Sequence, residues 1–381
     1  MAGTSVDSIV IGLGVMGAAS AAHLARRGQR VLGFDAYPRG HTQGSSHGRS
    51  RIIREAYFEA PEYVPLVQRA YKLWRELEEA SAQTLLTTTG GLCTGSPESS
   101  AVSGALQSAE LHGLPHELLS AAEVTARFPG FSLAEDMVGV LEPRAGVLHA
   151  NRCVAALLDI ATQHGADLHH DEPVIRWSAN GQGVRVETAA GSYLADRLVV
   201  TAGPWASELL AELTLPLQVQ RVVNAHLESR RPERFAAARF PVFIMQVAEG
   251  HYYGMPFMPG QGVKIGRHDN IQPCTPQTIR RDIDPAEIET LRGVLDRYLP
   301  GAAGPVMSSF TCMYTSTPDR HFILDRHPEH PQVVYGCGFS GHGFKFAPVI
   351  GEVLSDLAVE GATSNDVAFL SAARLALSAR G

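Results

Sequence analysis

Of the 32 lysine and arginine residues, only three are lysine: Lys72, Lys264 and Lys345. Lysine is a compact point charge with a pKa that its surroundings can move, whereas arginine is a rigid five-donor fork that stays charged. In a chain whose default cation is arginine, a retained lysine can therefore mark chemistry that a guanidinium cannot perform. Lys72 falls in an amphipathic helical pattern and reads as solvated. Lys264 and Lys345 lie in Gly-Val-Lys-Ile-Gly and Gly-Phe-Lys-Phe, among glycines and apolar residues where an idle charge would be costly.

Between Asp35 and Glu55 the chain carries Arg39, Arg49, Arg51 and Arg54 with His41 and His47, and no acidic residue, inside a protein of formal charge −7. Ile52 and Ile53 separate Arg51 from Arg54, which predicts a partly buried segment whose arginines each need a partner. An anion belongs nearby, and the candidates are a cofactor pyrophosphate or a substrate carboxylate gripped in bidentate fashion. Further on, Cys312-Met-Tyr314-Thr and Gly338-Phe-Ser-Gly341-His342-Gly343-Phe-Lys345 bring a thiol, a phenol, an imidazole and an ammonium within 34 residues. Taken singly, Cys312 reads as a buried thiol and His342 as a loop histidine. The glycines between them let backbone approach a ligand closely.

The elements that must position these groups follow from pattern. Ser8 to Ile11 is a β-branched run leading into Gly12-x-Gly14-x-x-Gly17, an alanine-rich helical stretch, a stop at Gly28 and a second strand, Val31 to Phe34, with Asp35 at its end. In that context the glycines read as a dinucleotide fingerprint: a tight turn, a pyrophosphate at a helix N-terminus, and a carboxylate for ribose hydroxyls, which argues against a 2′-phosphate cofactor. A core-facing helix is predicted from Tyr63, another from Asn151 to Gly165, then strands around Asn180-Gly181 and at Leu198 to Ala202, a segment that again reads as doubly wound. Residues 215 to 310 read as a second unit, with strands at Pro241 to Val247, at Tyr252 to Gly254 and around Lys264, and a helix capped by Asp284-Pro285 with Glu287 at N3. The strand Val333 to Cys337 and a helix from about Lys345 return to the first. The predicted division is 1–84 with 145–214 and 311–381 for a cofactor domain, and 85–144 with 215–310 for a substrate domain.

Length and composition suit two globular domains, with 45% hydrophobic and 19% charged residues. The acidic balance offers no broad basic face for nucleic acid. No apolar run approaches the ~18 residues of a membrane span, and no secretory leader is visible. The five cysteines lack metal or disulfide spacing and read as free thiols.

The motifs Gly-Ser45-Ser-His47-Gly-Arg-Ser-Arg51-Ile-Ile-Arg54, Cys312-Met-Tyr314-Thr and Gly338-Phe-Ser-Gly-His342-Gly-Phe-Lys345-Phe resemble those of the monomeric sarcosine oxidase, N-methyltryptophan oxidase and pipecolate oxidase family, from about Val6 to the C-terminal helix. The resemblance implies an α/β fold, α+β overall: a Rossmann-like FAD-binding domain of the glutathione-reductase type and a substrate domain on a mixed sheet. It implies oxidation of secondary amino acids at the C–N bond, with O2 reduced to hydrogen peroxide and formaldehyde released from N-methyl substrates. FAD attached at Cys312 is implied, with Gly12, Gly14, Gly17, Asp35, Ser45, Arg51, Val174, Gly341, His342, Gly343 and Lys345 as cofactor contacts. Arg54 and Lys345 match the carboxylate-holding pair, with Tyr253 and Ile244 at substrate positions. Lys264 matches the oxygen-activating cation beside the flavin, with Arg51, His47, His268, Tyr253 and Tyr314 at active-site positions. A monomer is implied, and no metal. The chain ends Ser-Ala-Arg-Gly, unlike the peroxisomal Ser-Lys-Leu; a cytoplasmic enzyme is expected.

This resemblance and the composition meet at the same two lysines. Cations beside a flavin favour the arrival of electrons and the charge that develops on oxygen, and an ammonium fits where a guanidinium would crowd. Pinning the carboxylate would orient the amine, and a dry cationic pocket lowers an ammonium's pKa, so no dedicated base is required.

Overall fold

In the computed structural model, which describes residues 5–181, 183–269 and 272–378, the N-terminal β-branched run forms the strand Ser5–Ile11. The alanine-rich stretch forms the helix Val15–Arg26 and leads to the strand Val31–Phe34. The two strands pair in parallel with Ile11 opposite Phe34, so the glycine turn and Asp35 emerge at one sheet edge. Residues 379–381 of the C-terminal sequence lie outside the described residues.

Among the described residues the first sheet has eight strands. Ser5–Ile11 runs parallel to Ser192–Val200 on one side and Val31–Phe34 on the other, and Asp167–His169 and Val333–Cys337 continue the parallel core outward. The helices Val15–Arg26, Tyr63–Ser81, Ala150–Gln163 and Ala347–Val359 share one apolar core on this sheet. The predicted double winding of the middle segment is corrected in part. Val174–Asn180, Gly183–Thr188 and Ser192–Val200 form an antiparallel meander, because turns this short leave no length for the crossover that parallel pairing demands.

The second sheet has nine strands among the described residues, with Gln218–Leu227, Gly262–Arg267, Gly250–Met258 and Val242–Val247 adjacent in that order and Gly91–Gly95 beyond them. Asp284 and Glu287 form the predicted capping box on the helix Pro285–Tyr298, which packs on one face of this sheet. Val306–Ser316 pairs with Gln218–Leu227 along its whole length. The division expected at residue 311 thus falls inside a strand of the second sheet. Likewise Leu86–Thr88 and Gly146–Leu148 pair with each other and, through the latter, with Arg51–Ile53 in a three-stranded sheet that joins segments predicted to lie apart. No helix among the described residues is long and apolar enough to cross a membrane.

Candidate active site

Strand register assembles the site. In the second sheet His226 stands opposite Lys264, Asn224 opposite Gly266 and Phe310, Val222 opposite Cys312, and Gln220 opposite Tyr314. Tyr253 stands opposite Gly266 and Ile244, and Met255 opposite Lys264. Opposed residues share a face and neighbours along a strand alternate. Asn224, His226, Ile244, Tyr253, Met255, Lys264, Phe310, Cys312 and Tyr314 therefore project from one face. The alternate residues Val223, Ala225, Phe243, Val263 and Ile265 pack beneath the helix Pro285–Tyr298.

That face closes a cavity of about 90 Å³ whose opposite wall includes Arg51, Arg54, Glu59, Gly341, His342, Phe344 and Lys345. Lys264 is 2% exposed. Its Nζ donates to the Ser50 carbonyl at 3.1 Å and lies 5.4 Å from the Phe310 ring centroid. Burial, with the charge of Arg51 nearby, pushes its pKa well below the lysine range. Lys345 Nζ donates to the His342 carbonyl at 2.7 Å; burial and the charge of Arg54 bring its pKa down to about 7 against the pull of Glu59. The Arg54 guanidinium lies between the rings of Tyr57 and Phe58, 4.3 and 4.2 Å from their centroids, and is paired with Glu59. Burial opposes both charges, yet their attraction keeps Arg54 protonated and holds the Glu59 pKa at about 2.

The histidines divide. His268 lines the small cavity, and burial with neighbouring His251 lowers its pKa to about 3. His342 also lines it, but both ring nitrogens are engaged, with the Tyr57 hydroxyl at 2.5 Å and the Arg320 carbonyl at 3.0 Å. His47 lies outside the small cavity and faces the carbonyls of Gly44 and Thr311.

A second cavity, of about 630 Å³, begins at the glycine turn. A Cβ on Gly17 would sit 1.8 Å from the Gly12 carbonyl oxygen, and one on Gly12 2.6 Å from that of Thr201, so only glycine allows this turn. Asp35 accepts the N–H of Leu13 at 2.8 Å and of Tyr37 at 3.0 Å. Ser45 and Val174 lie along the wall, and the Ser45 hydroxyl donates to the Met313 carbonyl at 2.7 Å. Arg51, Cys312, Tyr314, Gly341 and Phe344 line both cavities, which makes Cys312 part of their junction. Gly343 lines only the large cavity, Lys345 and His342 only the small one.

Sequence reasoning missed Glu59, Asn224, His251 and Ser46. Ser46 accepts the Val15 N–H at the start of the first helix. Asn224 and His226 left a readable signal, two polar residues at alternate positions of the otherwise apolar run from Val222 to Leu227; Glu59 left only its nearness to Arg54 in the chain.

Residues 7–357 match the family described as FAD dependent oxidoreductase. The chain belongs to this family. This FAD-dependent oxidoreductase is 43% identical over 375 residues to the monomeric sarcosine oxidase of Streptomyces avermitilis, covering 97% of this chain and 98% of that one. It is 36% identical over 369 residues to the N-methyl-L-tryptophan oxidase of Salmonella arizonae, covering 95% and 96%. Among solved structures it superposes on NikD, an unusual amino acid oxidase essential for nikkomycin biosynthesis, with a TM-score of 0.87 at 27% identity, covering 96% and 97% of the chains. Its cofactor is FAD, and the residues fit that group: a tight turn that a Cβ on Gly12 or Gly17 would break, a carboxylate at the strand end beside it, and a long cavity lined by a thiol.

Proposed function

We propose that this enzyme oxidises small secondary amino acids, sarcosine and other N-methyl amino acids or cyclic ones such as L-proline and L-pipecolate, with oxygen as acceptor. The observation that carries this reading is the small cavity itself: Arg54 and Lys345 on one wall suit a carboxylate, Lys264 supplies a third buried cation opposite, and the space meets the dinucleotide cavity at Cys312. The names of the relatives above support the same substrate class.

Gly12, Gly14, Gly17, Asp35, Ser45 and Val174 would hold the dinucleotide, with Arg51, Gly341 and Gly343 toward the reactive end. Bound FAD supplies the two-electron oxidant for the C–N bond and the route for those electrons to oxygen. Arg54 and Lys345 fix the carboxylate and so hold the amine in one orientation. Among these cations the amine loses its proton readily, and His268, held neutral, adds no positive charge. Ile244 and Met255 on the sheet wall limit the side chain that fits. Lys264, when protonated, would place a positive charge where oxygen gains electrons. For an N-methyl substrate, R–NH–CH3, O2 and H2O give R–NH2, CH2O and H2O2. Attachment of the cofactor at Cys312 Sγ, and a monomeric, cytoplasmic enzyme, belong to the same proposal.

The test is the visible spectrum of the purified protein and then of pellet and supernatant after acid precipitation, followed by peroxide detection with sarcosine, L-proline and L-pipecolate. A yellow pellet and peroxide are expected. Colour in the supernatant alone would withdraw the bond at Cys312, and a flavin-loaded protein that makes no peroxide with any secondary amine would overturn the proposal.

A further inference from the structure

Three polar side chains on the sheet wall of the small cavity form a directed chain. The Tyr314 hydroxyl donates to the Tyr253 oxygen at 3.4 Å, and the Tyr253 hydroxyl donates to Asn224 Oδ1 at 2.7 Å. The Tyr253–Asn224 bond has a place made for it. Gly266 stands opposite both residues in register, and a Cβ there would lie 2.7 Å from the Tyr253 oxygen and 2.8 Å from Asn224 Oδ1. Asn224 is 2% exposed, so its carbonyl is held in a dry site where the bond to Tyr253 is hard to replace with water.

With its proton committed to Asn224 and one lone pair facing the Tyr314 hydroxyl at 3.4 Å, Tyr253 offers the cavity only its remaining lone pair. The charged groups on the cavity wall other than Glu59 are cations, and Glu59 is taken by Arg54. Tyr253 therefore offers a ligand N–H an acceptor on the sheet wall. A neutral secondary amine carries one such N–H; a neutral tertiary amine carries none and would leave Tyr253 with only the long bond from Tyr314.

We propose that Asn224 is a positioning residue that locks the Tyr253 hydroxyl as an acceptor for the N–H of the bound amine and so makes the site prefer secondary over tertiary amines. The inference rests on the secondary-amine reading above.

The test compares kcat/KM for N-methylglycine and N,N-dimethylglycine in the flavin-loaded wild type, Asn224→Leu, Tyr253→Phe and the double variant. Acetate binding, followed by perturbation of the visible spectrum, serves as the control because acetate has a carboxylate and no N–H. The wild type should prefer the secondary amine. Asn224→Leu and Tyr253→Phe should each cut that preference roughly tenfold, the scale of one hydrogen bond lost to a buried partner. The double variant should lose no more than either, and acetate affinity should stay within about twofold. An unchanged preference in Asn224→Leu, losses that multiply in the double variant, or an equal loss of acetate affinity would overturn the proposal. Should Asn224→Leu not fold, Asn224→Ala takes its place in the cycle. A wild type that oxidises neither amine would instead overturn the substrate class, while turnover with unaltered preference in the variants would sink only the role of Asn224.

Discussion

The carboxylate of Glu59 is paired with the guanidinium of Arg54 inside the small cavity, on the wall that also carries Lys345. A ligand carboxylate that uses Arg54 must share it with Glu59 or displace it. Glu59→Gln keeps the shape and removes the competing charge, so acetate should bind severalfold more tightly by spectral titration. The same change leaves a buried guanidinium without its counter-ion, at a cost on the order of 3–5 kcal/mol, so the melting temperature should fall. Added acetate should recover more of that temperature in the variant than in the wild type. Weaker acetate binding in Glu59→Gln would mean that Glu59 holds Arg54 in place rather than competing for its ligand.

Lys345 gives a pH dependence of definite sign. Burial and Arg54 bring its folded pKa from 10.5 down to about 7. Between those values the unfolded chain binds the extra proton, so this group adds stability as pH rises from about 7 towards 10.5, and its full penalty is present below about 7. Chemical denaturation across that window should show a positive slope that Lys345→Met reduces. Carboxylate affinity should run the other way, weakening as pH rises through about 7 because only the ammonium attracts the ligand. A flat affinity profile from pH 6 to 8 in the wild type would remove Lys345 from carboxylate binding.

The glycine turn allows a sharper structural test. A methyl group on Gly17 would have to occupy space 1.8 Å from the Gly12 carbonyl oxygen, and main chain cannot move aside as a flexible side chain can. Gly17→Ala should therefore purify with little or no yellow colour, read as the ratio of visible to ultraviolet absorbance, while far-ultraviolet circular dichroism retains the wild-type α/β signature. Full colour in this variant would show that the turn can shift without losing the dinucleotide.

How much of this was legible in the sequence depends on the range of the interactions. The strand, glycine turn, helix and Asp35 are set by neighbours in the chain, and their spacing alone indicated the cofactor end. Lys264 and Lys345 stood out because lysine is rare here. Cys312, Lys264 and Tyr253 meet because four strands share a register, and register is decided by pairing across tens of residues that periodicity does not report. Glu59 escaped notice because its importance comes from one contact with Arg54. The boundary expected at 311 lies inside one continuous strand, Val306–Ser316, whose pairing with Gln218–Leu227 is likewise a long-range contact.

Lys264 makes a prediction in which function and stability part company. Its amine is almost completely buried, with a single carbonyl as hydrogen-bond partner among the described residues and a pKa pushed well down by burial and by Arg51. A lysine whose folded pKa is depressed costs stability at every pH below its unfolded value of 10.5, and in full below the folded one, so replacing it with an apolar side chain of similar length relieves the fold. Lys264→Met should raise the melting temperature at neutral pH. If the charge serves oxygen, the same variant should still bleach when mixed anaerobically with substrate at a rate within a fewfold of wild type, whereas recovery of colour on admitting oxygen should slow on the order of 10²-fold, the scale of losing one preorganised charge. Stopped-flow absorbance separates the two steps. Equal slowing of both would assign Lys264 to the general positioning of groups in the cavity, and a lowered melting temperature would show that the ammonium is better paired than its one carbonyl bond indicates.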